Sequence, residues 1–424
     1  MRKATVMNDR RATRSMRPLY RHEYVTTSHD RRAHRMRRSA VGKRMRNLLI
    51  IGTPLVMVVA KLMVAFVLPA KYFYDNNRIL AMSTGQSSPL AAWGGSYRIA
   101  ADLFAAINVF DIDTMIGWSV SMGVIFTAVM LWLMLRADAP DAAQLVFLLA
   151  TAGLLNIYVF TIGKDIIQFM VFLTVYLVLT MPIRRTVVRI VLAAVILYVE
   201  SLFFRAYYVL IAALVLAVYA ILFAFRAKKR RLGLAHVAAI IALMIASVWV
   251  MLAVSARMMP ADYAQVMTLR DGYDQVMDGN ADSFTYIRNL VPGKGLPVFM
   301  VNYVINALRM MVPVELAMRG AYYLPFFIFQ LMVSAYLVNL LRQVNEIRDP
   351  ALLLALCVFL GYALASFIFE PDFGSWTRHE AATFPVLHLL VLNRYQQMPA
   401  GELNSFSTRY GRTTVPLAMK GGEQ

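Results

Sequence analysis

The sequence predicts an all-α, polytopic integral membrane protein with about ten transmembrane helices and two long extracytoplasmic loops. Three observations carry that reading. The chain of 424 residues is 59% hydrophobic and 16% charged, with a mean hydropathy of +0.57, whereas a soluble domain holds about 25% charged residues. Apolar runs near the ~20 residues that cross a bilayer recur along it. The Lys and Arg behind its formal net charge of +19 gather in an N-terminal tail and in alternate short loops, as the positive-inside rule requires.

Taken in order, spans are expected at about 48–68, 116–135, 143–162, 165–183, 187–203, 206–225, 233–254, 320–341, 350–369 and 379–394. The tail before them, 1–46, carries "RRAHRMRRSAVGKRMR". It reads as a disordered cytoplasmic segment that sets topology and touches anionic lipid, not nucleic acid. Its length and the ~20-residue apolar run that follows argue against a cleaved signal peptide. The loops "RADAPD", "PIRRTVVR", "FRAKKRR" and "RQVNEIRD" share the side of this tail. Both termini, including 395–424, are therefore expected in the cytoplasm, with 47–394 forming the transmembrane domain.

The long outer loops are 69–115, with the amphipathic "SYRIAADLFAAINVF", and 255–319. Gly295 to Gly320 has helical apolar spacing interrupted by Asn302, Asn306, Arg309 and Glu315. An interfacial or re-entrant helix is expected there; a full span would reverse everything downstream. The inner loops are short, so chemistry is expected on the outer face. Cys357, the single cysteine, lies inside an apolar run, which excludes an intrachain disulfide or a cysteine metal site. No His, Cys or carboxylate pairs recur at ligand spacing, and no metal or cofactor is expected.

The densest polar chemistry is "EPDFGSWTRHE", Glu370 to Glu380, between two apolar runs. Pro371 and Gly374 mark a turn. Thr377, with Glu380 three residues later, fits a capping box that would start the last helix. Arg378 would then stand in a first turn, against the helix dipole. A bound phosphate would make sense of that, because amide donors and guanidinium converge on one anion. Pairing with Asp372 or Glu370, or snorkelling to headgroups, is the plainer account. His379 beside that positive end is expected neutral and able to accept a proton, or else bonded to backbone. His388, nine residues on, faces the opposite side of a helix.

Ionisable groups at membrane depth are functional candidates by default. Lys61 lies in the first span, Lys164 and Asp165 in one tight outer turn, and Glu200 and Arg205 in another, followed by Tyr207 and Tyr208. Local Lys–Asp and Glu–Arg pairs are the plain account. The alternative is one shared basic pocket suited to a diphosphate. In the first loop Asp75 follows the first span, and Asp113 of "DIDT" reads as a helix cap rather than half of a metal pair.

Together, "YFYDNNRI", "SYRIAADLFAAINVF", "GKDIIQF", "FFRAYYVLI" and "EPDFGSWTRHEAATFP" resemble the Wzy-type, EpsG-like exopolysaccharide or capsular polysaccharide polymerases. The resemblance runs in order over about 69–392, and "FFRAYY" and "EPDFGSWTRHE" are its most specific stretches. The Arg-rich tail and the aspartate motif of the first loop depart from the family pattern. The resemblance implies an enzyme that joins undecaprenyl-diphosphate-linked oligosaccharide repeat units on the outer face. An acceptor hydroxyl attacks the donor's anomeric carbon and the lipid diphosphate leaves, without a cofactor. On this reading His379, Asp372 and Asp75 are the expected catalytic groups. Arg378, Arg205, Lys164, Tyr208 and Asp165 are the expected diphosphate- and substrate-binding groups. The implied partners are the lipid-linked oligosaccharide, membrane lipid and other polysaccharide-assembly proteins. Two other classes stay open: a GT-C-like glycosyltransferase using a polyprenyl-phosphate sugar, with Asp75 or Asp113 as base, and a flippase or exporter of lipid-linked glycan. The last would string charges along a path through the membrane rather than at its rim.

Overall fold

The computed structural model describes residues 28–85, 95–226, 232–277 and 285–396, with backbone alone for 28–39, 270, 271 and 274–277. Within them the regular structure is helical, and the β-pairing is one isolated bridge, Tyr286 to Asp372. The helices are α1 (Ser28–Phe66), α2 (Tyr74–Ser83), α3 (Ser96–Ile107), α4 (Met115–Arg136), α5 (Ala142–Tyr158), α6 (Asp165–Thr180), α7 (Thr186–Phe203) and α8 (Tyr208–Phe225). They continue as α9 (Leu234–Met258), α10 (Pro260–Met277), α11 (Leu296–Met311), α12 (Val314–Met318), α13 (Leu324–Arg342), α14 (Pro350–Phe369), α15 (Phe373–Ala382) and α16 (Phe384–Val391).

Among the described residues seven helices are long and apolar enough to cross a membrane: Ala40–Phe66 within α1, then α4, α7, α8, α9, Ala321–Arg342 around α13, and α14. The expected spans 143–162 and 165–183 are α5 and α6, of 17 and 16 residues. The expected span 379–394 is not one helix, because the chain breaks at Thr383 between α15 and α16. The broken pair still runs the length of the bundle. His379 of α15 meets the start of α6, and the carbonyl of Val391 accepts from Gln144 at the start of α5, 2.7 Å away. The expected coil of the N-terminal tail is helical from Ser28 onward, continuous with the first span; residues 1–27 and 397–424 lie outside the described residues. The ambiguous 295–320 stretch is two helices, α11 and α12, parted at Val312–Pro313.

Local chemistry accounts for the helix starts. Thr114 caps α4 through the Gly117 amide, Asp141 and Gln144 form a reciprocal capping box on α5, and Asp349 caps α14 ahead of Pro350. Such caps satisfy amides that a helix start leaves without partners. At the Arg46 end of α1 the short basic loops come together: Arg46 reaches the Ala137 carbonyl, Leu232 bonds Arg342, and Arg226 bonds the Ile347 carbonyl. Arg46 thus ties α1 to the start of the "RADAPD" loop, and Arg226 and Leu232 tie the two ends of the α8–α9 connection to the "RQVNEIRD" loop. The axis of the bundle is α14, whose apolar window is 94% buried, against 22% for that of α1. Gly361 allows the closest contact of that axis. A methyl group there would stand 2.7 Å from the Val215 backbone nitrogen of α8, and small residues permit such approach of membrane helices.

Candidate functional site

At the opposite end of the bundle, four turns distant in sequence bring their charges together. Asp165 opens α6 and is buried. One of its carboxylate oxygens lies 3.1 Å from Arg205 in the α7–α8 turn and 3.0 Å from His379 Nε2 on α15. The other lies 2.9 Å from Arg378 Nε. Asp75, on the first turn of α2, pairs with Lys164 at 2.9 Å and accepts from the Tyr97 hydroxyl at 2.8 Å. Lys164 Nζ also donates to that hydroxyl at 2.8 Å. Glu370, between α14 and α15, lies 2.7 Å from His379 Nδ1.

The local pairs that the sequence allows do not form. Lys164 bonds Asp75, not its neighbour Asp165. Arg205 bonds Asp165, Gln168 and Tyr207, not Glu200, whose carboxylate oxygens are buried without a hydrogen bond. Side chains that could pair within one turn instead pair across turns, so the cluster ties loops together that the chain keeps far apart.

Electrostatics follow from this geometry. Burial alone would raise Asp75, but Lys164 and Arg378 beside it more than offset that and hold its carboxyl below the usual range. Burial would likewise raise Glu370, yet His379, Arg205 and Arg378 bring it below its ordinary value. Burial pushes Lys164 down, against the pull of Asp75 and Asp165. The three cations Lys164, Arg205 and Arg378 face the three carboxylates Asp75, Asp165 and Glu370. The cluster is neutral without His379 and carries one positive charge with His379 protonated. Arg378 keeps the most open cationic edge. Its side chain is 19% exposed, and its outer nitrogen stands 3.9 Å from Asp75, too far for a direct hydrogen bond.

Several expectations need correction. The Thr377–Glu380 capping box is absent, because α15 begins at Phe373 with Asp372 as its cap. Thr377 bonds the Phe373 carbonyl, and Glu380 is buried against Gln330, 3.3 Å away. Arg378 therefore stands beyond the first turn and His379 in the last, where a helix dipole favours cations; the helix-start argument for a phosphate does not hold. His379 is no free base: Nδ1 bonds Glu370 and Nε2 stands 3.0 Å from Asp165, and the two carboxylates favour the imidazolium. Asp372 is taken up by the Ser375 amide at 2.8 Å and the Ser375 hydroxyl at 2.9 Å in its own turn, and by the distant Thr285 hydroxyl at 3.3 Å. Tyr208 is fully buried at the start of α8. Its neighbour Tyr207 is the tyrosine that bonds Arg205, at 3.2 Å. Thr114, not Asp113, caps α4.

Gln168, Tyr97 and the role of Glu370 join the site only in the fold. Gln168 accepts from Arg205 at 2.8 Å and donates to the His379 carbonyl at 2.8 Å and the Tyr362 hydroxyl at 3.1 Å. A signal existed for it: Asp165 and Gln168 are three apart and share one helix face. Tyr97 and Glu370 had none, since their partners lie on other elements. No protein-family model, curated protein or solved structure matches this chain.

Proposed function

We propose that this protein is a membrane glycosyltransferase that polymerises undecaprenyl-diphosphate-linked oligosaccharide repeat units into exopolysaccharide or capsule at the outer face of the cell membrane. On this reading the chain makes ten passes, by the seven long helices, α5, α6 and the broken α15–α16 pair, with both termini cytoplasmic. The observation that carries the proposal is the cross-turn cluster, with Lys164, Arg205 and Arg378 drawn from three separate turns to one end of the bundle. Fixed cations at a poorly solvated rim stabilise a leaving diphosphate more than they would in water. Arg378 and Lys164 would meet the phosphates, while Arg205 and Asp165, both buried, hold Arg378 and His379 in place. In the reaction the anomeric carbon–oxygen bond to the diphosphate breaks and the acceptor hydroxyl oxygen bonds to that carbon. Its proton passes to Asp75 once the diphosphate has drawn Lys164 and Arg378, the cations that hold that carboxyl low, toward itself; Asp75 is 26% exposed against 8% for Asp165 and 4% for Glu370.

The balance of three cations against three carboxylates favours a second reading, an ion-pair clamp that ties the turns together without touching substrate. Substitution at Arg378 separates the two. A clamp needs a charge near Asp165, which Lys can supply. A grip on diphosphate needs the planar fork of a guanidinium. Loss of one such contact to a developing anion costs about 3 kcal/mol, or roughly a hundredfold in rate. Arg378→Lys and Arg378→Ala should both reach normal abundance, accumulate lipid-linked single repeat units and make little long polymer. The measurement is surface-glycan chain length beside protein abundance. Full-length polymer from Arg378→Ala at normal abundance would remove Arg378 from the reaction.

A further inference from the structure

Lys61, the charged residue of the first span, takes no part in the cluster. Its ammonium reaches across the bundle to three acceptors: the Ser119 hydroxyl of α4 at 3.1 Å, and the carbonyls of Asn156 at 2.5 Å and Phe160 at 2.9 Å. Three acceptors match the three N–H groups of an ammonium. The two carbonyls lie where α5 ends. There the Phe160 amide bonds back to Leu155, which leaves the Asn156 carbonyl without its usual helical donor. A cation at a helix C-terminus both supplies that hydrogen bond and suits the dipole.

Space is kept for this lysine. A methyl group on Gly123 of α4 would overlap Lys61 Cε and stand 3.0 Å from Nζ. Beyond Phe160 the chain runs buried through Thr161, Ile162 and Gly163 to Lys164 and Asp165. A second tie holds that end: Asn76 of α2 donates to the Ile162 carbonyl at 2.5 Å, and a side chain at Gly163 would meet Asn76 Nδ2 at 2.7 Å. The turn is thus tacked from α1 at its start and from α2 at its end.

We infer that Lys61 is a positioning residue: by capping the end of α5 inside the bundle, it sets the buried turn that presents Lys164 and Asp165 to the site. That the turn serves the reaction rests on the function proposed above; that Lys61 sets the turn does not. Asn76 shares the task at the other end. Gly123 contributes by leaving room for the Lys61 stem.

The test uses two buried thiols in the full-length protein. Thr161→Cys places a nearly isosteric reporter in the turn, where Thr161 is fully buried. Native Cys357, fully buried in α14, reports general opening. N-ethylmaleimide modification of both is followed by mass spectrometry in isolated membranes. Adding Lys61→Met should raise the rate at position 161 about tenfold or more while Cys357 stays protected. Gly123→Ala, which displaces Lys61 without replacing it, should act in the same direction, and the double variant should add little. Lys61→Gln, which keeps two donors, should fall between and serves if Lys61→Met is not recovered in membranes. An unchanged rate at position 161, or equal increases at both thiols, would overturn the inference. Full-length glycan from a strain whose turn is released would overturn the use of the turn in the reaction. That outcome is separate from the Arg378 test of the function itself.

Discussion

Asp165 and Asp372 stand at comparable places, one opening α6 and the other capping α15, yet they do opposite work. Asp372 acts within its own turn, on the Ser375 amide and hydroxyl, with Thr285 at its side. Asp165 spends its oxygens on Arg205, Arg378 and His379, from two other turns. A carboxylate at a helix start is favourable in either case. What separates them is burial and the cations that the other turns deliver. Asp372 belongs mainly to a helix cap in its own turn and Asp165 to the tertiary fold.

The largest effect is expected at Asp165. Asp165→Ala leaves two guanidiniums and an imidazole without their shared counter-ion. Breaking a buried pair from one side costs about 3–5 kcal/mol, so this variant should lose most of the measurable stability in detergent unfolding. A loss no larger than that of Asp372→Ala would erase the distinction.

Acid sharpens the contrast. The folded values of Asp75 and Glu370 lie below their ordinary ones. Their contribution is fully present above the unfolded values, about 3.9 and 4.3, and is lost as pH falls through the lower folded values. Asp75→Asn should therefore be less stable near neutrality and lose less on acidification than the parent. Parallel unfolding-against-pH curves for the two proteins would contradict the assignment.

Asp372→Ala should cost about 1 kcal/mol, the usual effect of removing a helix cap. Its glycan should keep full chain length, because its oxygens are taken up by Ser375 and Thr285. Short glycan at normal abundance would return Asp372 to the chemistry. Smallest of all, Asp113→Asn should shift stability by no more than about 0.5 kcal/mol, since Thr114 supplies the cap of α4; a larger change in melting temperature would mean that Asp113 has a partner in the folded protein.

What can be read along the chain is what repeats or acts within a few residues. Apolar runs give α4, α7, α8, α9 and α14. Arg205, Arg378, His379, Lys164, Asp165 and Asp75 were identifiable because each is an ionisable group at the edge of an apolar run, where it is costly. Their partners were not. Hydropathy does not separate α14 from α1, with window means of 2.5 and 2.3, since lipid and a protein interior are alike apolar. Which helix becomes the axis depends on close approaches such as Gly361 against Val215. Likewise Thr377 and Glu380 have the spacing of a capping box, but Asp372 starts the helix earlier and packing draws Glu380 inward to Gln330. Composition and apolar patterning were enough for the membrane class, the long helices α4, α7, α8, α9 and α14, and the charges that would be out of place. Tertiary structure alone decided that Lys164 would choose Asp75, that His379 would lie between Glu370 and Asp165, and that Lys61 would cap α5. Each of those contacts joins residues brought close by helix packing, and Coulomb attraction and hydrogen bonding act on distance in space rather than along the chain.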